Sequence, residues 1–139
     1  PYFFFLLALF PLSARDFRAG VARVDITPVE SVWMSGYAAR TKPSDGAVQR
    51  IWAKALALED GSRGKVVIVT TDLIGLPRAV SDRVAARVAK QYGIERSRLL
   101  LNSSHTHAGP VVKPNLMTMY FLTPEQSAAL DRYSDKLID

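Results

Sequence analysis

Apolar and polar positions alternate along Gly20–Ile26. Val21, Arg23 and Asp25 fall on one side and Ala22, Val24 and Ile26 on the other, the period-two pattern of a half-buried strand. Thr27-Pro28 ends it, because proline donates nothing to a ladder and restricts the residue before it. Ile51–Glu59 (IWAKALALE) and Val66–Thr71 (VVIVTT) are apolar runs flanking Asp60-Gly61-Ser62-Arg63-Gly64, which predicts a hairpin. The second run is apolar on both faces, as a strand covered on both sides would be. After Gly75-Leu76-Pro77 the period changes. Val80, Val84, Val88 and Tyr92 recur at every fourth position, with Ala79, Ala85 and Ala89 beside them, which predicts a helix of about 15 residues. Gly93 is placed to stop it. Arg98–Leu101 reads as another short strand. Further on, Thr123-Pro124-Glu125-Gln126 opens a helix with a threonine N-cap, proline at N1 and glutamine at N3. Ala129, Leu130, Tyr133 and Leu137 form its apolar stripe.

These elements give an α/β fold class, a mixed sheet with a βαβ unit over Val66–Asn102, expected to be the first portion of a larger α/β protein. A strand–helix–strand unit favours parallel pairing through a right-handed crossover. Sites in such sheets gather at the carboxyl ends of parallel strands. Asp72 directly follows the first strand of the unit, and Asn102–Pro110 (NSSHTHAGP) follows the second. The fold therefore brings both to one edge. Between the first strand and the hairpin, Val32–Arg40 (VWMSGYAAR) is apolar and then small and polar. Gly36 there marks a turn or a close backbone approach, and Thr41–Gly46 is a loop by composition.

The loop Asn102–Pro110 holds His105 and His107, the two histidines of the chain. Neutral imidazoles are good zinc ligands, and a catalytic zinc takes about three protein ligands plus water. Histidines two apart in an extended segment point to opposite sides unless the backbone turns between them. One would then ligate while the other orients substrate or braces the site. Asp72 is either a partner or ligand in that site or a turn residue closing its strand. Ser103, Ser104 and Thr106 lack the GxSxG setting of a nucleophile elbow, and neither a P-loop nor a GxGxxG turn is present.

Composition narrows the partners. The chain has 139 residues, 48% hydrophobic and 22% charged, in the range of a globular domain. It carries a net charge of +5 with its arginines and lysines scattered, which points away from nucleic acid and allows only mild attraction to anionic surfaces. Cysteine is absent, which removes disulfides and thiolate metal sites. Tyr2–Leu12 (YFFFLLALFPL) is too short to span a bilayer as a helix, which needs about 20 residues. With Ser13 and Ala14 after it, the segment reads as the apolar core of a signal peptide. The expected organisation is a signal-peptide remnant at 1–15 and the N-terminal part of a longer domain at 16–139, in a secreted or periplasmic protein.

The series GVARVDITP (Gly20–Pro28), MSGYAAR (Met34–Arg40), AKALALEDG (Ala53–Gly61), VIVTTDLIGLPR (Val67–Arg78) and NSSHTHAGP (Asn102–Pro110) resembles the N-terminal part of neutral/alkaline non-lysosomal ceramidases. That resemblance runs over roughly residues 18 to 139. It implies hydrolysis of the amide of ceramide (N-acylsphingosine) to sphingosine and fatty acid, with one catalytic Zn2+. By the same resemblance His105 is a zinc ligand and His107 lies beside it; the chemistry of amide hydrolysis makes His107 a candidate for proton transfer or oxyanion contact. The family's other ligands, a later histidine, a glutamate and a tyrosine, would fall beyond Asp139, so this stretch alone is expected to be inactive. The family commonly has serine before the Gly-Pro; Ala108 stands there here. An N-acyl lipid substrate implies transient contact with a membrane surface and an apolar groove, for which Trp33, Met34, Met117, Met119, Tyr120 and Phe121 are candidate walls. Two other readings stay open: an amidohydrolase for a different N-acyl lipid or small amide, and a non-catalytic binding domain of the same fold.

Overall fold

The computed structural model describes residues 17–62 and 64–139, so the apolar segment Tyr2–Leu12 and its reading as a signal peptide lie outside the described residues. Four strands form one sheet in chain order: β1 (Arg18–Asp25), β2 (Trp52–Glu59), β3 (Lys65–Thr71) and β4 (Leu99–Ser103). β1–β2 and β2–β3 are antiparallel, and β3–β4 is parallel. The sheet is therefore mixed, and helix α1 (Arg78–Tyr92) makes the crossover between its parallel pair. A second helix, α2 (Pro124–Lys136), follows.

Local chemistry accounts for each element. The β2–β3 turn is tied by Asp60, whose Oδ1 accepts from the backbone N–H groups of Ser62 and Gly64, both at 2.9 Å. α1 starts after Pro77 and ends at Gly93, whose φ of +67° closes the last turn with an N–H bond to Ala89 O. α2 opens with a complete capping box: Thr123 Oγ1 accepts from Gln126 N, and the Gln126 side chain accepts from Thr123 N. β4 runs two residues further than its apolar run suggests. Thr71 Oγ1 pairs with Ser103 Oγ at 2.9 Å and with Asn102 O at 3.2 Å, so polar residues extend the ladder.

Burial is one-sided. Leu73, Val80, Val112, Tyr133 and Ile138 form one core cluster, and Val32, Trp33, Val111, Tyr120, Ala129 and Leu130 form another. A crevice of ≈ 460 Å³ lies between Val24, Ala53, Val69 and Leu101 of the sheet and Val80, Val84, Tyr133 and Leu137 of the helices. The opposite face carries an aliphatic row in direct register across all four strands, Val21–Leu56–Ile68–Leu100. The sequence pattern makes β1 half-buried, but the strand is exposed along most of its length, with Val21 and Val24 at 84% and 59%. β1 is an edge strand paired only with β2, and nothing among the described residues closes over it. For the same reason β3 is only partly covered rather than buried on both faces.

α2 is fastened back onto the start of the chain. Tyr133 donates its hydroxyl to Ile26 O at 2.9 Å, and Arg132 makes a two-point ion pair with Glu30. Burial pushes the Tyr133 phenol well above the usual tyrosine range. At the end of β1, Asp25 accepts from Thr27 N and from Arg50, which fixes the turn into Pro28. The Thr27 bonds, more than the Arg50 charge, hold its carboxyl below the ordinary value.

Candidate functional site

The histidine loop leaves the carboxyl end of β4 and runs on beside the residues that follow β3. Ser104 N donates to Thr71 O and Thr106 N to Leu73 O, at 3.0 and 3.3 Å. On its other side the loop is bonded to the Trp33–Gly36 segment. Ser35 N and Oγ both donate to Gly109 O, and Val111 N donates to Trp33 O. Met34 and Pro110 form an isolated antiparallel bridge. Gly109 fits because a Cβ there would stand 3.0 Å from Asp72 O. So the loop is a third ribbon held between two others, and its side chains inherit fixed directions.

Simple alternation would send the two imidazoles apart. His105 prevents this by taking φ +59°, a left-handed conformation uncommon for a side chain of its size. The ring of His107 then comes within 5.4 Å of the ring of His105, centroid to centroid, at 63°. His105 Nδ1 lies 2.9 Å from Ile74 O. A carbonyl can only accept, so Nδ1 carries the proton and Nε2 keeps its lone pair. His105 is exposed as a residue, and that nitrogen has no hydrogen-bond partner among the described residues. This is the arrangement metal-binding histidines use to fix tautomer and ring angle.

His107 is half-buried and sits against the 34–40 segment. Its ring meets Tyr37 edge-on at 4.7 Å between centroids. Gly36 has φ +96°, and a Cβ there would fall 2.3 Å from His107 Cγ, so only glycine leaves room for this ring. Gly36 N donates to the buried Tyr120 hydroxyl at 3.0 Å. Arg40 Nη2 donates to His107 O at 2.8 Å. Gly36, Tyr37 and Arg40 all belong to the MSGYAAR stretch. Gly36 was legible as a close approach, but the stretch held no signal for the histidine contacts of Tyr37 and Arg40, because the partner is some 70 residues away.

Asp72 does reach the same sheet edge, with a different partner. Its carboxylate accepts from Trp52 N at 2.9 Å, and its own N–H donates to Trp52 O at 3.0 Å. It thus locks the end of the β2–β3 pair, and His105 takes the Ile74 carbonyl instead. A groove of ≈ 970 Å³ opens on that side, lined among others by Met34, Trp52, Asp72, Ser104 and Thr106. The two histidines do not line it. Of the suggested apolar walls, Trp33 and Tyr120 are core, with Met117 and Met119 packed against them, while Phe121 is 96% exposed. Among the described residues no group of three or more His, Cys, Asp or Glu side chains is placed to hold a metal, and no helix is long and apolar enough to cross a membrane.

Fold and loop together define an α/β domain with a paired-imidazole site at the carboxyl edge of its parallel strands. The family described as neutral/alkaline non-lysosomal ceramidase, N-terminal, matches residues 17–126. The neutral ceramidase of Pseudomonas aeruginosa is 37% identical over 112 residues, covering 76% of this chain and 17% of that protein. That of Drosophila pseudoobscura pseudoobscura is 33% identical, over 76% of this chain and 15% of its own length. A crystal structure of the Pseudomonas aeruginosa neutral ceramidase superposes with a TM-score of 0.65 at 30% identity, covering 87% of this chain and 21% of that one. A ceramidase complexed with C2 gives a TM-score of 0.66 at 29% identity, covering 85% and 20%. The chain belongs to the neutral/alkaline non-lysosomal ceramidase family, and it spans about a sixth of the length of these curated relatives.

Proposed function

We propose that this chain is the N-terminal part of a zinc-dependent ceramidase, in which His105 is a metal ligand and His107 moves a proton at the scissile amide. The observation that carries this is the His105 Nδ1–Ile74 carbonyl bond at 2.9 Å, which leaves the Nε2 lone pair of an exposed residue free beside a second imidazole. Membership of a family whose relatives are named neutral ceramidases supplies the substrate, ceramide. The donor set fits zinc in kind, since a neutral imidazole with its second nitrogen fixed is a preferred ligand. The chain supplies one corner of such a site, and catalysis belongs to the longer protein. Export of that protein is part of the proposal, resting on the apolar Tyr2–Leu12.

An amide is a weak electrophile with a poor leaving group, so its hydrolysis needs an activated water, a polarised carbonyl and a proton for the nitrogen. A bound zinc would lower the pKa of water toward neutrality and act as a Lewis acid on the carbonyl. The residues of this chain do the rest of what falls to it. Ile74 O holds His105 in the tautomer that presents Nε2. In this reading His107, its carbonyl met by Arg40 and its ring by Tyr37, takes a proton from the attacking water and returns it to the departing nitrogen.

The test uses the full-length protein. His105→Ala should lower bound zinc from about one per chain and abolish ceramide hydrolysis, as removal of a first ligand does. Unchanged zinc content in that variant would refute the assignment. Comparison of ceramide with simpler N-acyl amines reads the substrate separately.

A further inference from the structure

Within its own loop, the His107 ring meets only that of His105, at 5.4 Å between centroids, among the described contacts. Thr106 N is bonded to Leu73 O and Ala108 N to Thr106 Oγ1, while the His107 carbonyl and ring are met by the 36–40 segment. A backbone turn, Arg40 N to Tyr37 O at 3.2 Å, folds the Arg40 side chain back over the Tyr37 ring, with the guanidinium carbon 5.2 Å from the ring centroid. One guanidinium thus touches both supports of His107: its Nη2 takes the carbonyl at 2.8 Å, and its face covers the ring that walls the imidazole. Tyr37 is 57% exposed, so a cover of this kind is what keeps its ring from turning away. Arg40 Nε is buried and has no acceptor among the described residues.

We propose that Arg40 and Tyr37 are positioning residues that set the ring of His107 for proton transfer. Arg40 acts through its bond to the His107 carbonyl and its stack on Tyr37, and not on substrate. The idea rests on the reading of His107 as the proton-transfer group. A planar fork can donate and stack at once, whereas a lysine ammonium only donates. Arg40→Lys is therefore expected to retain part of the effect and Arg40→Met none of it.

In the full-length protein, Arg40→Met and Tyr37→Ala should each lower kcat about 10- to 100-fold, the scale of a misplacement of about 1 Å. KM should stay within about twofold and zinc content unchanged, since only a transition-state contact is lost. Tyr37→Phe keeps the ring and should match the parent. Placed on His107→Ala, neither Arg40→Met nor Tyr37→Ala should lower kcat further. A full additional loss there would mean that they act on substrate, and the proposal falls. A crystal structure of each variant gives a reading independent of turnover. The His107 ring should have left its place against residue 37, and an unmoved ring overturns the proposal. If His107→Ala alone keeps parental kcat, the catalytic reading of His107 fails, and the ring position still decides whether Arg40 and Tyr37 place it.

Discussion

Gly36→Ala offers a direct measure of how tightly the imidazole site is built. Two costs add at this position. The first is conformational: φ is +96°, outside the regions open to L side chains, a strain of about 1–2 kcal/mol on the αL scale. The second is steric. The new Cβ would sit 2.3 Å from His107 Cγ and 2.6 Å from Nδ1, against about 3.5–4.0 Å for relaxed carbon contacts. The ring must yield by more than an ångström, or the 34–40 segment must lift, and overpacking of this kind costs about 1–3 kcal/mol. The expected loss is roughly 2–5 kcal/mol in urea unfolding of the full-length protein. Gly93→Ala is the control, because its φ is +67° and no atom lies within 4 Å of its built Cβ, so it carries the conformational cost alone. The decisive comparison is a double-mutant cycle. His107→Ala removes the nearest atoms the new methyl would strike, so Gly36→Ala in that background should cost clearly less than in the parent, approaching its conformational strain alone. Equal costs of Gly36→Ala with and without the His107 ring would refute the contact.

Two other outcomes follow from the packing of α2. Thr123→Ala removes the Oγ1 acceptor of the capping box and should lower stability by about 1 kcal/mol, read from the shift in urea midpoint. Tyr133 has its phenol pKa raised by burial above the unfolded value near 10. Its contribution is therefore complete below pH 10 and is lost as pH rises from there toward the folded value, because only the unfolded chain ionises readily. Unfolding free energies measured at pH 8 and pH 11 should diverge more for the parent than for Tyr133→Phe, and equal slopes would contradict the burial argument.

The parts of the fold that were legible in the sequence are those whose causes are local. The Asp60–Gly64 turn, the Gly93 stop and the Thr123–Gln126 box each lie within a few residues, and each forms as its residues dictate. The parallel pairing of β3 and β4 also followed, because the crossover helix leaves few other topologies. The histidine loop could be found but not oriented. Its orientation depends on the left-handed backbone of His105, on the bond of its ring to Ile74 O on another strand's extension, and on the clearance left by Gly36. Asp72 illustrates the same limit. Its position beside the loop followed from topology, but its carboxylate answers to Trp52 N across the hairpin, a pairing that depends on strand register. The exposure of Val21 and Val24 shows that an alternating pattern marks which residues can be covered, while tertiary packing decides which of them are.

The fastening of α2 to the chain's beginning has a consequence for the order of events on the ribosome. β2, β3, α1 and β4 are neighbours in sequence and pair with neighbours, so they can form as soon as Ser103 has cleared the exit tunnel. Ile26 O and Glu30 must wait for Tyr133 and Arg132. At roughly 5–20 residues per second that wait lasts on the order of seconds. Throughout it the histidine loop already has its hydrogen-bond partners on β3 and the residues after it. The core cluster of Trp33, Tyr120 and Leu130 that backs the 34–40 segment closes only with α2. The partners of both imidazoles are thus synthesised before them, whereas the core behind the segment that supports His107 needs residues that follow it, Tyr120 and Leu130.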